Sequence, residues 1–284
     1  MEKMLAFVDG SIYSESVCDH TLWIAQKNRS KVSIFNIIDV SETSHNTSNF
    51  SGNLVAEARN TLLSELAELD NKRAKLAQKK GRLILDDAEA RLIEGGLKNI
   101  DTHLRHGDFV DTVTEFQEEA DILVIGKRGE AANFAKLHLG SNLERLIRSA
   151  NKPVLVAARV FKPIKRILIG FDGGKSVVRA IEHVSNQNLF TDLECHLLSA
   201  GKIDSNQKKK IEAAERLLSE KGRKTKTFVI EGDAETVISN HVEQHNIDLL
   251  VMGAYGHSRI RNLMIGSTTT QMIRSCHIPV LLFR

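Results

Sequence analysis

Near the end of the chain, Gly253, Gly256, Gly266 and Ser267 stand in the spacing G-x2-G-x9-G-S, between an apolar run ending at Met252 and an amphipathic segment opening at Ser267. Glycines let backbone N–H groups converge on a ligand with no Cβ in the way. The first N–H groups of a helix, at the positive end of its dipole, favour an anion. Ser267 and Thr268 add hydroxyl donors, and His257, Arg259 and Arg261 make the intervening loop basic. These residue types in this order suit a phosphate chain. The competing reading is a turn capped by Ser267 and flanked by solvated arginines.

The loop is one of a pair, because the chain is written twice. MLAFVDGS at Met4–Ser11 matches ILIGFDGG at Ile167–Gly174, and LRHGDFVDTV at Leu104–Val113 matches VIEGDAETVI at Val229–Ile238. ADILVIGKRG at Ala120–Gly129 matches IDLLVMGAYG at Ile247–Gly256, and LGSNLERLIRSANKPVLVA at Leu139–Ala157 matches IGSTTTQMIRSCHIPVLLF at Ile265–Phe283. Four matched blocks in one order mark a tandem duplication. The first copy of the loop runs from Gly126 through Lys127 and Arg128 to Gly129, then takes ten residues rather than nine to reach Gly140 and Ser141. Its interior, EAANFAKLHL, is also more apolar than HSRIRNLMI.

Elements that position such loops follow from the pattern. Short, continuously apolar runs alternate with amphipathic stretches; in the second copy the strands fall at Arg166–Phe171, Leu193–Ser199, Lys226–Glu231, Asp248–Met252 and Pro279–Phe283. Helices are expected near Lys175–Gln187, Ser205–Lys221, Ala234–His245 and Ser267–Cys276. Continuous apolar strands joined by helices imply parallel sheets covered on both faces. The expected fold is α/β: two tandem, open, five-stranded parallel sheets with helices on both faces, residues 1–160 and 161–284. Ligands of such sheets bind beyond the strands' carboxyl ends, where strand order reverses. The short link ARVFKPIKR predicts halves that pack together.

Asp9 to Gly107 spans 98 positions and Asp172 to Gly232 spans 60, so the first copy carries 38 extra residues, an insert over about 40–97. A polar loop leads into a helical run in which Leu62, Leu66, Leu69, Leu76 and Leu83 follow a four-three spacing, interrupted by Arg73 and Lys80. This predicts a long helix or helical hairpin laid on the first domain, with a dimer or partner contact as the alternative.

The segment from Gly253 to Ser267 resembles the nucleotide-binding signature of the universal stress proteins, in their ATP-binding branch, and the resemblance covers the whole chain as two such domains. It implies a Rossmann-like fold of the adenine nucleotide alpha hydrolase-like kind. It implies that Asp172, ending strand one, lies at the adenine, with a contact from the end of strand two near Leu197. Gly253, Gly256, Gly266 and Ser267 match the ribose and phosphate positions. Asp9, Ile37, Gly126, Gly129, Gly140 and Ser141 are the first-copy counterparts, in a loop that departs from the pattern. The implied ligand is ATP, with ADP or AMP as variants and Mg2+ carried only by the nucleotide. Family members commonly form dimers, or pseudo-dimers within a tandem chain.

Other classes fit less well. The net charge of +3 is too balanced for a nucleic-acid binder. Cys18, Cys195 and Cys276 share no metal spacing and sit in apolar patterns, as reduced thiols of a cytosolic protein do. MEKMLAFVDG carries an early acid and passes straight into a strand, unlike a signal peptide. GFDGGKS at Gly170–Ser176 is one residue short of a phosphate-binding P-loop and would place a carboxylate in the cradle. His103 and His106 lack a third ligand; His183, His241 and His245, on helices, read as scattered polar histidines, and Lys208–Lys210 as a solvated face. No serine nucleophile pairs with a histidine at a strand-to-helix elbow, which points to a regulator with at most slow ATP hydrolysis. A scaffold or carrier of an apolar ligand such as lipid is the rival function.

Overall fold

A computed structural model describes residues 2–39, 56–129, 140–254 and 265–284. The first half runs β1 (Lys3–Phe7), α1 (Ser14–Asn28), β2 (Lys31–Ile38), α2 (Ala56–Glu94), β3 (Ile100–His106), α3 (Phe109–Phe116), β4 (Ile122–Gly126), α4 (Ser141–Ser149) and β5 (Val154–Ala157). The second half runs β6 (Arg166–Gly170), α5 (Lys175–Asn186), β7 (Glu194–Ala200), α6 (Ser205–Glu220), β8 (Lys224–Ile230), α7 (Ala234–Gln244), β9 (Leu249–Gly253), α8 (Ser267–Ser275) and β10 (Val280–Phe283).

The two expected sheets are in fact one. Strand order is β3-β2-β1-β4-β5-β10-β9-β6-β7-β8, and every neighbouring pair is parallel except β5 with β10 at the centre. There Val154, Leu155 and Val156 face Leu282, Leu281 and Val280 in antiparallel register. The physical reason lies in the edges. All four residues of each of these strands are buried, so either strand left as an open edge would expose apolar surface and unpaired backbone groups. Joining them removes both edges and makes the halves a single body.

Strands are buried on both sides. In β1, Met4 and Ala6 enter one apolar layer while Leu5 and Phe7 enter the other. Each layer continues through both halves, with Leu155 and Leu281 in the first and Val154, Val156, Val280 and Leu282 in the second. The repeated Gly-Asp pair has a backbone cause. Gly107 and Gly232 hold φ of 133° and 149°, conformations that a side chain resists. The following Asp108 and Asp233 then accept hydrogen bonds from the first N–H groups of α3 and α7.

The insert is one uninterrupted 39-residue helix rather than a hairpin. It packs through Gly81, Leu85, Ala88 and Leu92, all buried, and not through the leucine stripe singled out above: Leu69, Leu76 and Leu83 are 48%, 67% and 54% exposed. Gly81 permits the close approach, since a Cβ there would lie 2.5 Å from Leu104 Cδ1. Arg91 grips Asp19 on α1 with two hydrogen bonds of 2.7 and 2.9 Å. Residues 40–55, the polar part of the insert, lie outside the described residues.

Candidate functional site

In the second half, strand order reverses between β6 and β9, which pair directly, with Gly170 opposite Met252. Asp172 follows β6 and Gly253 ends β9, so both stand at the carboxyl ends flanking the switch point. Asp172 is half-buried, and one carboxylate oxygen accepts the Gly174 N–H at 2.8 Å. The glycine loop leaves and returns at one point: the Gly266 N–H donates to the Ala254 carbonyl at 3.1 Å, and the Thr269 hydroxyl to the Gly253 carbonyl at 3.0 Å.

Gly266, not Ser267, is the N-cap of α8, and among the described residues no side chain caps that helix. Ser267 is its first residue and is exposed, with Thr268 half-buried behind it. The contrast with α3, α6 and α7 is direct, because aspartates 108, 204 and 233 occupy their first-turn N–H groups. At α8 no aspartate of the described residues takes that place, and helix N–H groups in this position suit an anion. Gly256, His257, Arg259 and Arg261 lie outside the described residues.

Leu197 falls in mid-strand, with its side chain fully buried. Strand pairing places Phe7 opposite Phe35 and Gly170 opposite Leu198, so the counterpart of Ile37 is Ala200, the last residue of β7. Lys210 is exposed as expected, yet its ammonium reaches the Gly173 carbonyl at 3.2 Å, beside Asp172. The counterpart contact in the first half comes from the insert, whose Ile84 leaves no room for a Cβ on Gly10.

The first half assembles its own set of residues. Asp9 accepts the Ser11 N–H at 2.9 Å, and Ile37 is half-buried near the end of β2. Gly126 ends β4, and Gly140 caps α4 without a side-chain bond ahead of exposed Ser141. Gly129 sits close over Asp9, for a Cβ there would lie 3.1 Å from the carboxylate. Lys127 reaches into the other half. Its ammonium donates to the carbonyls of Arg274 and Cys276, at 2.8 and 3.0 Å, capping the C-terminal end of α8 in the other half.

Burial pushes the Lys127 ammonium down from 10.5 to about 8. An unfolded lysine keeps its proton up to about pH 10.4. Between those values the unfolded chain binds more protons than the folded one, so this site adds stability as pH rises. Lys127→Met is expected to lack that gain, so the wild type's advantage in thermal midpoint grows from pH 7.5 to 9.5. An advantage constant across that range would contradict the assignment.

A duplicated, doubly wound α/β chain with a glycine-bounded loop at the switch point of each half is the class that fold and site define. The chain belongs to the universal stress protein family, whose model matches residues 1–158 and 197–284. It is 34% identical, over the full length of both chains, to the universal stress protein Slr1230 of Synechocystis sp.. It is 30% identical to the universal stress protein MJ0531 of Methanocaldococcus jannaschii over 56% of this chain and 82% of that one. Among solved structures, a universal stress protein from Archaeoglobus fulgidus shares the fold with a TM-score of 0.73 at 19% identity, covering 99% of this chain and 98% of its own. Among the described residues no helix is long and apolar enough to cross a membrane.

Proposed function

We propose that the second half binds ATP and that the protein is a nucleotide-responsive regulator of the stress response with little or no turnover. One observation carries this reading: the start of α8, whose N-cap is Gly266, opens beside the β6–β9 switch point where Asp172 stands. In this reading Asp172 and the end of β7 at Ala200 receive the adenine. Gly253, Gly256 and Gly266 admit the ribose and phosphates without a Cβ in the way, and Ser267 and Thr268 donate to phosphate oxygens. His257 and Arg259 supply positive charge. ADP and AMP fill the same site with fewer contacts, and Mg2+ arrives with the nucleotide.

Calorimetric titration of the nucleotide-free full chain with ATP, ADP and AMP tests the proposal. Saturable binding of one ATP per chain, weakening as phosphates are removed, is the expected result. No heat with ATP, together with no nucleotide in an extract of the purified protein, sinks it. A lipid in that extract instead would favour an apolar-ligand carrier.

A further inference from the structure

Three histidines of the second half converge at the end of the sheet away from the glycine loop. His196 is the third residue of β7; His241 lies in the last turn of α7, and His245 follows at its C-cap, one turn on. The β8–α7–β9 crossover between parallel strands carries that helix end back to the strands' amino ends. Accordingly, Arg166, the first residue of β6, donates to the His245 carbonyl at 3.0 Å. One potential ligand nitrogen from each ring lies within 4.8 Å of the other two. His196 Nδ1 and His241 Nε2 are 2.9 Å apart, and the His241 and His245 ring centroids 4.1 Å.

We propose that His196, His241 and His245 form a three-histidine site for a divalent transition-metal ion of the zinc class, with a fourth position left to water or an outside ligand. Imidazole nitrogens suit zinc and its first-row neighbours, and three histidines plus an open position is a recurrent zinc arrangement. The four-residue spacing of His241 and His245 sets both on one helix face.

The surroundings match what such a site needs. His196 Nε2 lies 3.2 Å from Glu194 Oε1, so its N–H points at the carboxylate and the Nδ1 lone pair is left facing the cluster. A carboxylate behind a histidine is the usual way a metal ligand's ring and tautomer are held. Glu194 is itself fixed by Lys226 and Arg166. Burial pushes His196 and His241 down, the latter to about 4. Phe228 closes one side, its ring 5.0, 4.6 and 5.4 Å from those of His196, His241 and His245. Nitrogens around a tetrahedral zinc stand about 3.3 Å apart. Binding therefore opens the His196–His241 contact slightly and moves the His241 proton from Nε2 to Nδ1.

The duplication supplies an internal comparison. By strand register and helix caps, the counterparts of His196, His241 and His245 are Ser33, Phe116 and Ala120, and that of Phe228 is His103. There His103 stacks on Phe35 at 4.6 Å and packs beside Phe116. The same frame is thus filled with rings in one half and with ligand nitrogens in the other.

The test uses the full chain after EDTA treatment. Titration with Zn2+ against a chromophoric chelator is expected to show one site per chain, and Co2+ to give the visible absorption of a four-coordinate ion. His245→Gln, at a half-buried position, and His241→Phe, the residue found in the first half, are each expected to weaken Zn2+ by about a hundredfold or more. Unchanged circular dichroism would establish that the variants fold. Gly256→Val is expected to bind Zn2+ normally, which separates this site from nucleotide binding. Absence of stoichiometric Zn2+, or wild-type affinity in folded His245→Gln and His241→Phe, overturns the proposal.

Discussion

Leu281→Asp is expected to leave the chain unfolded at room temperature. Leu281 is 1% exposed at the centre of the seam and faces Leu155, also 1% exposed, across the antiparallel pair. Removing such a side chain costs about 2–5 kcal/mol. Burying a carboxylate with no partner adds several more, or forces its protonation at a similar cost. A domain's whole stability is about 5–15 kcal/mol, and because both apolar layers run through the seam, neither half is spared. Leu76→Asp is the matched control, at a helix position 67% exposed; its effect is expected to stay within about 0.5 kcal/mol. Urea unfolding followed by circular dichroism reads both. A Leu281→Asp midpoint near that of the wild type would mean that the seam does not join the halves into one unit.

That seam marks the boundary of what the sequence discloses. Strands of four to eight apolar residues, and helices with Asp or Gly at their starts, are local features, and the duplication let each half check the other. The pairing of β5 with β10 is non-local. VLVA and VLLF announce buried strands, but nothing in either says that each is the other's neighbour. Strand register was equally out of reach, which is why Leu197 stands three residues before the strand end occupied by Ala200. On α2 the leucine spacing marks an exposed face, whereas Gly81, whose value is its missing side chain, marks the packed one. His241 and His245 carried a signal in their spacing, but the third member, His196, comes from another element 45 residues away and only the fold brings it in.

Gly256→Val is expected to lower ATP affinity by at least about a hundredfold, or about 2.7 kcal/mol, while Gly129→Val changes it less than about threefold. A β-branched side chain in a phosphate loop fills the space a ligand's oxygens need and tilts the N–H groups that would meet them. The loss should therefore appear only where the loop binds. In the first half the corresponding residues make other contacts: the Lys127 ammonium holds the end of α8, the Ser11 hydroxyl reaches the Arg128 carbonyl at 3.5 Å, and Gly129 lies over Asp9. Valine at Gly129 would press on that carboxylate and cost some stability, a different readout from ATP affinity. Calorimetry on both variants, each checked for folding, separates the two effects. Equal loss of ATP binding from both would mean that the halves share the nucleotide. The longer, more apolar first loop would then be a variant of the site rather than its remnant.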